Sequence, residues 1–395
     1  MPKRITTFSG FVRQVLLLLL VIVGLLVVLS IPAYFALKQY FGIDLLHLAR
    51  TAVTDPQKVV SFMMSTTQTE PTKSLFLWTT FPGFTFAALF STIFMIWVER
   101  KFIAKVQLRV GPQYAGRIEG VFQNIADLLK LLFKEIIIPY KADKGIFMAV
   151  PLALMFVSGA LLSLVPVGPS TYIANPSVGV ILVFALIGFS PIIALLAGWA
   201  SNNKYSLLGG LRALHQMVAY EIPMLLSALG VVVLSGSLSL VSVVEAQSSV
   251  WFILLQPLGA IVFFISILAE LERIPFDMPE ADSELVAGWQ TEYTGMAFGI
   301  FQLATYIKFY ALAGIFTVFF LGGWSGPGPV PPAFWFILKT FLVMLAMMLP
   351  RAVLPRIRID QLLRGGWTRL MILTFANLFM ALLLVSVGLY HVGGL

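Results

Sequence analysis

Cysteine is absent from the 395 residues, and histidine occurs only three times, at His47, His215 and His391. A chain without thiols cannot hold a thiolate-ligated iron–sulfur cluster or an attached c-type haem. The histidines are too scattered to suggest a metal site or a bis-histidine haem, and His215 reads as a hydrogen-bonding loop residue. Charge is also scarce: 11% of residues are charged against 59% hydrophobic, and 18 Asp and Glu face 26 Lys and Arg. There is no Walker loop and no strand-flanked glycine fingerprint for a nucleotide, and Gly209 and Gly210 read as turn glycines in a short loop. Any redox chemistry would therefore need electron carriers in other subunits or in a lipid-soluble substrate, which implies partners.

What the chain has in abundance is apolar sequence, in runs close to the roughly 20 residues that cross a ~30 Å hydrocarbon core. Backbone polar groups in lipid must be satisfied within the segment, so such runs are helices. The pattern predicts about nine spans, at 15–37, 78–98, 147–167, 178–199, 222–243, 251–269, 298–321, 333–350 and 370–390. Trp78, Trp97, Trp199, Trp251, Trp324 and Trp367 fall near span ends, where an amphipathic ring suits the membrane interface. The expected fold class is all-α: a polytopic transmembrane helix bundle with a cytoplasmic amphipathic helix and charged cytoplasmic loops, and no clear internal repeat.

The basic residues set the orientation. Lys38, Arg50, Lys58 and Lys73 lie in the first outer loop, Lys308 and Lys339 lie inside spans, and the other 20 Lys and Arg fall on the side holding residues 99–146. That side is read as cytoplasmic, with the N-terminus inside and the C-terminus on the outer side. The net charge of +8 follows this topology rule, so it does not point to nucleic acid. Lys3, Arg4 and Arg13 ahead of the first apolar stretch resemble a signal peptide, but no small-residue cleavage site follows, so the stretch reads as a retained anchor.

Three cytoplasmic segments carry information. In residues 98–139, Val121, Phe122, Ile125, Leu128, Leu129, Leu132, Phe133 and Ile136 recur at helical spacing, with Gln123, Asp127, Lys130 and Lys134 on the opposite stripe. This predicts an amphipathic helix over 118–136, stopping at Pro139 and lying on the membrane or under a partner. A solvated face accounts for the charged stripe equally well. Residues 200–223 read as a polar loop running into a helix that carries Glu221 near the membrane boundary, with Arg212 and Tyr220 as candidate partners.

The third segment, 269–293, holds seven of the 18 acidic residues: Glu270, Glu272, Asp277, Glu280, Asp282, Glu284 and Glu292, opposed within it only by Arg273. A helix after Pro279 would stack Glu280 on Glu284, with Glu292 two turns on. Charge density alone suits a soluble loop. Ile274, Phe276, Leu285, Val286 and Trp289 argue instead for folding against spans or a partner, where the acids would form a coupled proton-accepting cluster. Arg351, Arg356, Arg358 and Arg364, around a lone Asp360, could balance that cluster or simply set topology. Lys308 and Lys339, within spans that hold no Asp or Glu, read as functional, snorkelling or paired.

Taken in order, ERK followed by QLRVGP, ADLLKLLFKE, SNNKYSLLGGLR, ERIPFDMPEADSELVAGWQTEY, LGGWSGP, and PRIRIDQLL ahead of GGW closely resemble the H subunit of bacterial complex I, the counterpart of mitochondrial NADH dehydrogenase subunit 1. The resemblance covers about residues 79–390 and divides the chain into an N-terminal extra span and outer loop, 1–77, and a family-like membrane domain, 78–395. It implies a multi-pass subunit of the bacterial inner membrane, a quinone channel in a proton-translocating NADH:quinone oxidoreductase. The implied partners are other membrane and hydrophilic subunits, including the iron–sulfur and quinone-site subunits, together with membrane lipid. Quinone is the implied substrate, the nearest iron–sulfur cluster belongs to a neighbouring subunit, and no cofactor is bound by this chain. Carried over by motif, Arg100, Arg109, Asp127, Arg212 and Arg273 fall on the quinone channel, and Glu221, Glu270, Asp277, Glu280, Asp282, Glu284 and Glu292 on the proton relay. Where many members carry a Glu in the sixth family span, this chain has Thr305, with Lys308 nearby. A ferredoxin-fed relative or an energy-converting hydrogenase is the neighbouring alternative. A stand-alone ion transporter would place its charges at the membrane midplane within related repeats.

Overall fold

The computed structural model describes residues 94–115, 120–169, 172, 174–279, 284–327 and 332–387, all within one compact unit, Thr92–Leu395. The expected span at 15–37, most of that at 78–98, and Glu280 and Asp282 lie outside the described residues. Helix α1 covers 94–106. It is followed by α2 (Phe122–Phe133), α3 (Lys144–Ser163), α4 (Gly179–Ala200), α5 (Lys204–Ser235), α6 (Leu240–Ala246), α7 (Pro257–Glu270), α8 (Gly295–Phe320), α9 (Pro332–Val353) and α10 (Ile359–Ser386). Among the described residues, α3, α4, α5, α8, α9 and α10 are long and apolar enough to cross a membrane.

These six helices match six of the expected spans. The seventh, expected at 251–269, is instead a helical turn Phe252–Leu255 and the 14-residue α7, because Gln256 leaves helical geometry ahead of Pro257. Two helices organise the packing. α5 lies against α4, α7 and α10, while α8 lies against α3 and α9 and is crossed by α2. Most of the apolar window of α8 is buried in protein, whereas α10 keeps only 22% of its window buried and turns the rest outward.

The largest correction to the expected pattern is at residues 200–223. The loop is confined to 201–203 and the helix it runs into is far longer than expected: α5 runs unbroken through 32 residues, from an N-cap at Asn203, whose side chain accepts from the Tyr205 N–H at 3.0 Å, to a left-handed Gly236. Gly209 and Gly210 are therefore not turn residues. A Cβ on Gly209 would sit 2.6 Å from the Gly288 carbonyl carbon, and one on Gly210 would sit 3.0 Å from the Ala194 carbonyl oxygen, so both glycines exist for close backbone approach. His215 is likewise helical, with Nδ1 2.7 Å from the Leu211 carbonyl. Trp199, Trp251 and Trp367 are exposed as interface residues should be, but Trp97 and Trp324 are buried in protein.

Candidate functional site

The charged loops assigned to one side gather at one end of the bundle, where they clasp each other. Arg356 reaches Asp277 at 3.0 Å, the Asn203 amide donates to Glu292 at 2.6 Å, Arg212 pairs with Glu284, and the Ile137 N–H donates to the Thr294 hydroxyl at 2.9 Å. The arginine-rich segment thus partly balances the acidic segment, as the two were expected to do if folded together. The expected helix after Pro279 is absent from the described part: 284–287 are turns leading to a single 3₁₀ turn, Gly288–Gln290. Glu284 and Glu292 consequently do not stack, and each takes a separate partner on α5 or its cap.

Deeper in, two buried ion pairs lie at the junction of α1, α7 and α8. Arg273, three residues beyond the end of α7, pairs with Glu99 of α1, and both are almost fully buried. Arg351, at the end of α9, binds the same Glu99 oxygen. The Arg273 guanidinium also lies 4.3 Å from the Phe309 ring centroid and 5.1 Å from that of Tyr306. Burial works against its charge, but the Glu99 carboxylate and the Tyr306 hydroxyl together outweigh burial and hold the Arg273 pKa above the usual arginine value. A carboxylate held by two guanidinium groups meets the condition under which buried charge is tolerated.

The second pair is Lys308 Nζ of α8 to Glu270 Oε1 at 2.7 Å, with side chains 6% and 1% exposed. The same ammonium lies 3.3 Å from the Glu270 carbonyl oxygen. Glu270 Oε2 has no hydrogen-bond partner, nor has Ser190 Oγ of α4, and both residues line a cavity of ≈30 Å³ shared with Thr305, Glu272 and Trp289. By the measure that gives a water centre about 10–15 Å³, the cavity is sized for roughly two waters. Glu272, held at φ +51°, accepts from the Trp289 indole at 3.2 Å.

Glu221 does not meet its expected partners. Arg212 is taken by Glu284, and the Tyr220 hydroxyl donates to the Leu362 carbonyl at 3.0 Å. Glu221 instead projects toward Gly188, where α4 is interrupted between Ile187 and Phe189: a Cβ on Gly188 would come within 2.9 Å of its Oε1, and it feels the charges of Glu270 and Lys308. Lys339, the other cation within a span, is structural: its ammonium caps the carbonyls of Leu321 and Gly323 and lies 4.3 Å from the Trp251 ring centroid.

On the flank, α2 ends at Phe133, short of the expected 136, and the chain is extended toward Pro139. Its residues Phe122, Ile125, Leu129, Leu132 and Phe133 are exposed by 41% or more, so the apolar stripe faces away from the described protein. Asp127 on this helix accepts from Arg100 at 2.7 Å in a half-exposed pair, and Arg109 donates to Gln107 at 2.8 Å. The candidate residues therefore fall in three groups: Arg100, Arg109 and Asp127 beside α2; Arg212, Asp277, Glu284 and Glu292 at the clasped surface; and Glu221, Glu270 and Arg273 inside. The sequence reading left Glu99, Arg351 and Tyr306 out of the site, and named Lys308 without its partner. A carboxylate at the end of an apolar run, as in VERK, is the signal that could have exposed Glu99.

The sequence profile of a family described as NADH dehydrogenase matches residues 80–382. The H subunit of NADH-quinone oxidoreductase from Dehalococcoides mccartyi (strain CBDB1) is 47% identical over 288 residues, covering 73% of this chain and 81% of that protein. The protein of the same name from Bacillus thuringiensis (strain Al Hakam) is 44% identical over 302 residues, covering 76% of this chain and 91% of the relative. A Bacillus cereus (strain AH187) protein with that name aligns to the same extent. With a matched region spanning well over half of its length, the chain belongs to the NADH dehydrogenase family.

Proposed function

We propose that this chain is the quinone-channel membrane subunit of a proton-translocating NADH:quinone oxidoreductase, coupling quinone reduction to proton movement with no redox centre of its own. The observation that carries the reading is the buried Glu270–Lys308 pair beside a small cavity that Ser190, Glu272 and Thr305 also line, continuous along α7 and α8 with the Arg273–Glu99 pair. Such groups are costly inside a membrane even when paired, and where they are kept they mark ion or proton pathways. Electrons would come from an iron–sulfur cluster in an adjacent hydrophilic subunit. A quinone tail needs an apolar way in from lipid, for which the outward stripe of α2 against α8 is suited. The headgroup would then meet the polar surface bearing Arg100, Asp127 and Arg109. Protons would pass among Glu221, Glu270, Asp277, Glu280, Asp282, Glu284 and Glu292, with Arg212 and Arg273 setting their charge. The Lys and Arg asymmetry supports a bacterial inner-membrane orientation with residues 99–146 and 270–297 cytoplasmic.

The test replaces charge and keeps shape: Asp277→Asn, Glu280→Gln and Glu284→Gln in the assembled complex. Quinone reduction or pumping should fall while NADH oxidation by a hydrophilic artificial acceptor persists. Normal quinone reduction and pumping in all three variants and in their combination would remove the acidic segment from the relay.

A further inference from the structure

A second, wider cavity belongs to none of the groups above. It measures ≈600 Å³ and opens between α5, α7 and the first turns of α10, with Ile265 and Phe276 on one wall and Asp360, Gln361, Arg364 and Arg369 on the other. Arg364, Arg369 and Asp360 are exposed and make no hydrogen bond or ion pair with their side chains among the described residues. That is unexpected for Asp360 and Arg364, whose i, i+4 spacing on a helix would ordinarily let them pair.

The backbone explains how the two arginines come together. Helix α10 is interrupted by a π-helical turn, Gly365–Leu370, flanked by Arg364 and ending beside Arg369. In an α-helix residues five apart point about 140° apart. A π turn bonds i to i+5 and brings such residues toward one face. The turn packs closely on α5: a Cβ on Gly366 would lie 2.9 Å from the Ala219 carbonyl oxygen. The cavity thus has two unpaired guanidinium groups on a shared face, a carboxylate and an amide beside them, and apolar walls. It sits at the charged end of a helix that otherwise turns Ile372, Phe375 and Phe379 outward.

From this geometry we infer that the cavity is a binding site for the headgroup of an anionic glycerophospholipid, phosphatidylglycerol being the simplest. The phosphodiester lies between Arg364 and Arg369, the glycerol hydroxyls donate to Asp360 and Gln361, and the acyl chains leave along the outward face of α10. Planar guanidinium forks match phosphate oxygens, and the formal +1 of the lining complements a single phosphodiester charge. Neither Glu270 nor Arg273 lines the site, and it needs no contact with quinone.

The experiment uses the full chain, purified in mild detergent with the subunits that accompany it, delipidated and returned to phosphatidylglycerol or phosphatidylcholine before native mass spectrometry. Wild type should retain phosphatidylglycerol in preference to phosphatidylcholine. Arg364→Gln with Arg369→Gln should weaken that retention roughly 10- to 30-fold, on the scale of two lost basic contacts. Arg364→Lys with Arg369→Lys preserves charge, controls for folding, and should keep part of the preference. Equal retention by the double Gln variant would overturn the inference. So would displacement of the lipid by millimolar inorganic phosphate, which would mark an aqueous anion site, or a photo-crosslinker at Gln361 that captures a neighbouring subunit and no lipid.

Discussion

Lys308→Met offers the sharpest separation of what holds this protein together from what it does. Met keeps the long unbranched stem and removes the ammonium. Glu270, 1% exposed and bound through Oε1 to that ammonium, is then left as an uncompensated buried acid. Removing one partner of a buried pair costs about 3–5 kcal/mol, most of it the penalty on the group left behind. At roughly 2–4 °C per kcal/mol for a large domain, the apparent midpoint of thermal unfolding should fall by on the order of 10 °C. Glu270→Gln should destabilise for the mirror reason, by stranding Lys308 at 5% exposure. The double variant strands neither, so it should melt above the worse single variant, a non-additivity that defines coupling. Quinone-linked proton pumping should nevertheless stay low in the double variant, because the titratable pair is gone, while NADH oxidation by a hydrophilic acceptor is preserved. A wild-type midpoint for Lys308→Met, or strictly additive losses in the double variant, would refute the reasoning that this pair is buried and mutually dependent.

Other outcomes follow from the same structure. Ala126→Trp, on the exposed side of α2, should slow reduction of long-tailed quinones more than short-tailed analogues in steady-state assays; Ala104 is 0% exposed, so Ala104→Trp should lower assembly for both alike. Gly209→Ala should cost about 1–3 kcal/mol by overpacking, because its Cβ would lie 2.7 Å from the Gly288 Cα, and reduced yield of assembled complex would register it. In this cysteine-free chain, a single Cys at Gln113 or Asp282 should resist an impermeant reagent added from outside, while one at Thr66 should react. Labelling at Gln113 from outside would invert the topology.

The sequence determined the solvent and, among the described residues, six of the spans. Apolar runs near the membrane thickness and scarce charge required a helical membrane bundle, because backbone groups in so apolar a chain are satisfied within its helices. It also named most of the charged residues that come together, since acids and arginines this dense have few structural uses. It missed the extent of α5, because a polar stretch such as SNNKYSLLGG carries no apolar period, and its helical state rests on glycines packed against Gly288 and Ala194. Only tertiary structure decided who pairs with whom. Glu99 meets Arg273 across 174 positions and Arg351 across 252, and Lys308 meets Glu270 across 38. Pairings at such separations are set by helix packing, which fixes the distance between charges, and in a low-dielectric interior that distance determines whether an ionised group is tolerated at all.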